Sequence, residues 1–220
     1  MKINVIITGS TGMVGEGVLH ECLLHPDVEK ILLVNRRPCG ISNPKLSEII
    51  HDNFFDLSHI ENKLIGYDAC FYCLGVTSLR MKEPAYYYIT YTLTLDIAQR
   101  LARLNPNMIF CYISGAGTNT PEKAKFMWAR VKSKTEQDLM KLSFKKVYLF
   151  RPGLIKPTKG LNNVHKYYYV FSLFYPLFRL TMPKFVSTLK ELGLSMIISA
   201  TKGYEKQILE VPDIVKLSKQ

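Results

Sequence analysis

The turn Gly9-Ser10-Thr11-Gly12-Met13-Val14-Gly15 constrains this chain most, because it sits between an apolar run at 3–7 and a segment of helical periodicity at 13–24. A strand that ends in glycines lets the backbone turn sharply and come close to an anion. Free N–H groups and the positive dipole end of the following helix then meet the charge. In this strand-to-helix setting the pattern points to the pyrophosphate of a dinucleotide cradled by residues 9–15. Without that setting the same glycines would mark only a tight turn.

The rest of the chain fits the setting. Branched apolar runs alternate with longer segments of 3.6-residue period, as in a parallel sheet covered by helices. The pattern predicts strands near 3–8, 30–35, 46–51, 68–74, 107–113 and 145–150, helices near 13–24, 86–104 and 123–142, and a short helical segment near 57–62. Pro106 closes one predicted helix and Pro121 precedes the next. After Arg151-Pro152-Gly153 the alternation lapses into an aromatic helical stretch near 165–181, a helix near 187–202 and a short tail. The expected fold is α/β, a Rossmann-type doubly wound parallel sheet with its core in 1–155. A small, mostly helical C-terminal lobe over 156–220 is expected above the carboxyl ends of the strands, within one domain.

Composition narrows the surroundings. With 220 residues, 47% of them hydrophobic, the chain can bury a core of its own. Its five cysteines are an odd number and several fall in apolar runs, which suits a reducing cytosol. Cys70 and Cys73 have redox-motif spacing, but positions three apart on a strand face opposite ways. No leader precedes the strand that begins near Lys2 and no uncharged apolar stretch is long enough to span a bilayer, so a cytoplasmic protein is expected, with membrane association open. The formal net charge of +11 favours anionic partners such as a phosphorylated cofactor, acidic lipid or nucleic acid. The cations are dispersed and no nucleic-acid motif accompanies them, which argues against the last. His20, His25, His51, His59 and His165 do not pair by spacing into a metal site.

The end of the second predicted strand, Leu33-Val34-Asn35-Arg36-Arg37, bears on the cofactor. An acid at this place serves the ribose hydroxyls of NAD, and it would repel the 2′-phosphate of NADP. Asn35 stands there instead, and guanidinium groups bind phosphate oxygens in bidentate fashion. NADP(H) is therefore preferred over NAD(H), with Arg36 and Arg37 on the 2′-phosphate. Asp56 is a candidate adenine contact, and Leu74-Gly75 ends a strand where backbone passes close to the cofactor.

Gly9, Gly12 and Gly15, Arg36-Arg37, Cys73-Leu74-Gly75, Ser114-Gly115, Lys132 and Arg151-Pro152-Gly153, in this order, make the chain resemble the atypical and extended short-chain dehydrogenase/reductases. The branch it looks most like contains the Tat-interacting oxidoreductase-like proteins and bacterial epimerase-like relatives. The resemblance covers about residues 1–155 and implies oxidoreductase or epimerase-like chemistry, with Arg151, Pro152 and Gly153 near the cofactor. It also implies that Ser114 polarises the substrate oxygen and that Lys132 holds the nicotinamide ribose.

At the place of the family's catalytic tyrosine, four residues before Lys132, stands Trp128. An indole N–H donates a hydrogen bond but does not ionise usefully, so Trp128 cannot be a general acid or base. None of the 13 tyrosines has a lysine four residues later, so the motif has not slipped. Tyr86, Tyr87 or Tyr88 is a candidate substitute. The alternative is a non-catalytic NADP(H)-sensing protein, and a third reading is reduction of quinone-like substrates, whose proton comes from water.

The second unusual segment, 166–181, is apolar around most of a helix, flanked by cations and interrupted by Pro176. It lines a substrate pocket, forms a homodimer seam, or lies in a membrane interface.

Overall fold

β1 (Ile3–Thr8) is almost wholly buried, as a central parallel strand covered on both faces must be. The computed structural model describes residues 1–118, 124, 126–164 and 167–220, with side chains for all of these except 167–173. Pro121, His165 and Lys166 lie outside the described residues.

Around β1 the chain adds α1 (Met13–Leu24), β2 (Val28–Asn35), β3 (Leu46–Ile50), a 3-10 helix (Ser58–Leu64) and β4 (Ala69–Tyr72). A helical run follows as α2 (Glu83–Tyr87), a π turn (Tyr88–Thr92) and α3 (Leu93–Leu104), then β5 (Ile109–Ile113), α4 (Met127–Leu139) and β6 (Lys146–Arg151). The C-terminal part holds β7 (Leu154–Lys156), α5 (Tyr167–Thr181), β8 (Val186–Thr188), α6 (Leu189–Thr201), β9 (Ile208–Glu210) and α7 (Val211–Leu217). Among the described residues seven strands form one parallel sheet in the order β3-β2-β1-β4-β5-β6-β9, and β7 pairs with β8 apart from it. The Rossmann-type reading holds.

The sheet separates two apolar layers. One joins Ile7, Phe71 and Phe150 to α1, α6 and α7, while the other joins Ile6, Tyr72 and Phe110 to the 3-10 helix and α3. Each large apolar side chain fully buried here contributes about 2 kcal/mol relative to exposure. α6 comes close to α1 because glycines face the contact: a Cβ on Gly17 would lie 2.7 Å from Leu189, and one on Gly193 2.8 Å from Glu21.

This packing redraws the C-terminal boundary expected at 155. Leu189, Leu192, Met196, Leu209 and Ile214 are part of the buried core, and β9 extends the main sheet beside β6. β7 and β8 form a separate two-stranded sheet, yet Ile155 of β7 still belongs to the core. The tail was illegible as a strand because three residues carry too little pattern. The helix expected at 86–104 starts earlier, at Glu83, with Pro84 in its first turn, where a missing N–H costs nothing.

Because the main strands are parallel, their carboxyl ends collect on one edge. Gly9, Arg36, Cys73, Ser114 and Pro152 each follow a strand there. The order reverses between β1 and β4, and a crevice opens at that reversal.

Candidate functional site

The glycines of the first turn are required by contact. Gly9 has φ +71°, and a Cβ there would lie 2.7 Å from the Leu74 N. A Cβ on Gly15 would lie 2.1 Å from the Gly9 carbonyl oxygen. Gly12 donates its N–H to that carbonyl at 3.0 Å and caps α1 without a side-chain bond, so the first turn of the helix keeps backbone donors for a ligand. The crevice beside this turn has a volume of about 240 Å³ and is lined by Gly9, Thr11, Gly12, Asn35, Phe54 and Leu74, among others. Ser10 is buried and serves the frame, while Met13 and Val14 pack on the core.

Asn35 is fixed on both sides. Its amide donates to Ser10 Oγ at 2.7 Å and to Glu48 Oε1 at 2.7 Å. Glu48 Oε1 also accepts the Cys39 N–H at 3.0 Å, which shapes the loop after β2. The carboxylate in this corner is thus engaged with Asn35 and the loop. Arg36 and Arg37 are exposed and have no ion pair among the described residues. They border a second cavity of about 580 Å³ with Thr11, Asn162 and Asn163, and the two cavities share Thr11 and Arg36.

Asn162 and Asn163 arrive from far along the chain. The buried Glu16 carboxylate accepts both of their backbone N–H groups at 2.7 Å, pinning the segment across the start of α1. In the sequence Glu16 reads only as an acid in a first helical turn, so nothing announces this latch. Phe54, on the wall of the crevice, is likewise indistinguishable from core in the run Phe54-Phe55.

Asp56, expected at the adenine, has other partners. It accepts Ser58 Oγ at 2.6 Å and the Ser58 N–H at 3.1 Å, bonds that hold its carboxyl below the usual range and start the 3-10 helix. It does not line the crevice. Leu74 and Gly75 do line it.

At the other end of the edge, Ser114, Trp128 and Lys132 come together. Lys132 Nζ donates to the Ile113 and Ser114 carbonyls at 3.0 and 2.9 Å, and burial pulls its amine down to about 8 against the raising influence of Glu136. Trp128 packs on Gly115, where an added Cβ would lie 3.3 Å from the indole. Ser114 Oγ donates to Thr118 Oγ1 at 3.3 Å, and Thr118 Oγ1 lies 2.9 Å from Glu136 Oε1. The Ser114 hydroxyl therefore joins a buried network.

That network corrects the reading of Arg151-Pro152-Gly153. The Arg151 guanidinium binds Glu136 through two nitrogens and Glu210 Oε1 at 3.0 Å, so it ties β6 to α4 and β9. The Pro152 carbonyl accepts the Ala116 N–H at 2.9 Å. A Cβ on Gly153 would lie 2.2 Å from the Phe185 carbonyl oxygen, which makes glycine the condition for the β7–β8 contact. All three residues hold the frame.

The tyrosines offered as substitutes are also committed. Tyr86 is buried, and burial pushes its phenol up, opposite to what a catalytic tyrosine needs. Tyr87 packs on Tyr91 with ring centroids 4.6 Å apart, and Tyr88 stacks on Phe55 at 4.5 Å. The five cysteines are free thiols, and burial raises Cys70 well above its ordinary range and Cys73 to about 12. Among the described residues no cluster of side chains suits a metal ion.

No protein-family model matches the chain. Protein fmp52-1, mitochondrial, of Aspergillus oryzae is 29% identical over 158 residues, covering 69% of this chain and 66% of its own. Protein HTATIP2 of Rattus norvegicus is 25% identical over 154 residues, covering 69% of this chain and 62% of its own. The chain thus spans about two thirds of the length of these relatives. Among solved structures, MoeE5 in complex with UDP-glucose and NAD superposes with a TM-score of 0.68 at 12% identity, over 98% of this chain and 80% of that one. The expectation of a cytoplasmic protein is overturned, because the Aspergillus relative and FMP52 proteins of other fungi are named mitochondrial. Net charge and the lack of a long apolar stretch do not report on that address. The sheet topology and the solved neighbour show a Rossmann-type fold, and the order of motifs and these relatives make the chain similar to the atypical short-chain dehydrogenase/reductases.

Proposed function

We propose that the chain binds NADP(H) along the trough from the Gly9–Gly15 turn to Arg36 and Arg37, and acts as an oxidoreductase or epimerase-like enzyme on a small lipophilic carbonyl, alcohol or quinone. The observation that carries this reading is the continuity of the two cavities through Thr11 and Arg36. A cradle without room for Cβ atoms fits a pyrophosphate, and the engaged Glu48 leaves two exposed guanidiniums to meet a 2′-phosphate. Phe54 supplies an apolar wall for the adenine side. A bound nicotinamide supplies or accepts hydride.

The chain's own residues then set what else is possible. Lys132, held on the carbonyls at the end of β5, has a third N–H for the ribose. Trp128 walls the nicotinamide side and orients by contact, without moving a proton. Ser114, bonded to Thr118, orients the substrate oxygen only by exchanging that bond. The missing acid favours acceptors whose reduced form takes its proton from water, and quinones fit that requirement.

A cofactor-sensing protein without catalysis is the second reading. It is favoured by the way Trp128 and Ser114 are already engaged in packing and hydrogen bonds. Titration of NADPH fluorescence, with NADH as control, followed by loss of reduced-cofactor absorbance across aldehydes, ketones and quinones, separates the two. Turnover supports the enzyme, whereas tight binding without turnover supports the sensor. Absence of NADPH binding refutes both. Trp128→Tyr adds a check, since gained carbonyl reductase activity would identify a site that lacks only its acid.

A further inference from the structure

From Phe174 onward α5 is held to the molecule by one face and leaves the other in solvent. On the inner face Arg179 donates to the Val186 carbonyl and to Glu191 Oε1, and Lys156 Nζ lies 4.4 Å from the centre of the Tyr175 ring. On the outer face Phe174, Leu177 and Leu180 follow at intervals of three and are 49%, 56% and 80% exposed. Met182 and Phe185, just past the helix end, are exposed as well. A contiguous exposed patch of this kind marks a contact surface.

Beside the patch is a cavity of about 430 Å³ whose walls carry Lys184, Lys216 and Lys219 around Pro212 and Val215. No carboxylate lines it, and none of the three lysines has an ion pair among the described residues. We propose that the outer face of α5 and this basic cleft together dock on an anionic phospholipid bilayer, with the apolar side chains at the level of the acyl boundary and the lysines on lipid phosphates. At 15 residues α5 is too short to cross a bilayer, and among the described residues no helix is long and apolar enough to do so, so the helix lies in the interface plane. Apolar and aromatic side chains rimmed by lysine suit that depth.

The charge decides between a bilayer and a second copy of the chain. A two-fold contact around α5 would set the lysine clefts of two copies against one patch, where like charges repel. A leaflet rich in anionic lipid presents the complementary sign everywhere along the surface.

The test uses the full chain in vesicle flotation with phosphatidylcholine alone and with phosphatidylcholine mixed with phosphatidylglycerol. Binding is expected to be at least about tenfold stronger to the anionic vesicles and to weaken as salt is raised. Lys184→Glu/Lys216→Glu/Lys219→Glu and, separately, Leu177→Asp/Leu180→Asp should each lower it about tenfold or more while leaving the circular dichroism spectrum intact. Equal binding to both vesicle types, or no effect of either set of substitutions, overturns the proposal. So does a dimer in sedimentation velocity that Leu177→Asp/Leu180→Asp dissolves, since it would assign the face to a second copy.

Discussion

The two ends of the carboxyl edge are built differently. Around β1 and β2 the site is made of backbone, where Gly9 and Gly15 exclude side chains by contact and the start of α1 offers its N–H groups. Around β5 and α4 it is made of side chains, a chain of bonds from Ser114 through Thr118 and Glu136 to Arg151, with Trp128 packed alongside. A backbone cradle tolerates almost any change of neighbouring side chains. A side-chain site loses its chemistry with one substitution. In the proposed reading, cofactor binding and chemistry thus rest on different parts of this fold, and the first can be complete where the second lacks its usual acid.

The sharpest way to break that comparison is Gly15→Ala. Its Cβ would meet the Gly9 carbonyl carbon and oxygen, which cannot yield without opening the turn. Loss of detectable NADPH binding and about 3 kcal/mol or more of stability are expected, read by fluorescence titration and denaturant unfolding. Retained binding in Gly15→Ala would mean that the cradle is not the ligand site.

Arg36→Ala/Arg37→Ala should have the next largest effect. Each charge-assisted bond to a phosphate contributes about 1.5–3 kcal/mol, so NADPH affinity is expected to fall at least about tenfold. NADH affinity should stay the same. Equal loss of both would remove the 2′-phosphate assignment.

Lys132 tests the other end through pH. Its amine, pulled down to about 8 by burial, gives up its charge well before an ordinary lysine at about 10.4. NADPH affinity is therefore expected to fall severalfold as pH rises through about 8, and Lys132→Arg should flatten that dependence. Stability runs the opposite way. Between about 8 and about 10.4 the unfolded chain holds more protons at this site, so the Lys132 contribution to stability rises with pH across that window. A pH-independent affinity in the unaltered protein would take Lys132 out of the ligand site.

The same division governs what was legible in the sequence. The strand-to-helix glycine turn was readable because its spacing is a backbone requirement, and the alternation of elements was readable because the central strands β1, β4 and β5 are buried on both faces. Asp56 and Arg151 were misplaced for a common reason. A charged residue next to a strand end looks alike whether it meets a ligand or, as here, Ser58 and Glu136. β9 and the Glu16 latch depend on partners far along the chain, which no local period records.

Glu16 also gives the smallest and most discriminating prediction. Its buried carboxylate uses both oxygens on the Asn162 and Asn163 N–H groups, and it sits at the positive end of α1, where negative charge is favourable. A glutamine side chain has the same shape but turns an amide N–H₂ toward one of those donors. Glu16→Gln should therefore speed hydrogen exchange at 162 and 163, and lower NADPH affinity only about two- to threefold with NADH unaffected. Such a result would make the distant segment part of the wall that faces the 2′-phosphate, because only the phosphorylated cofactor reaches that wall. Faster exchange with unchanged affinity would assign recognition to the turn and the two arginines alone. The cofactor end would then be complete within the first β-α-β unit.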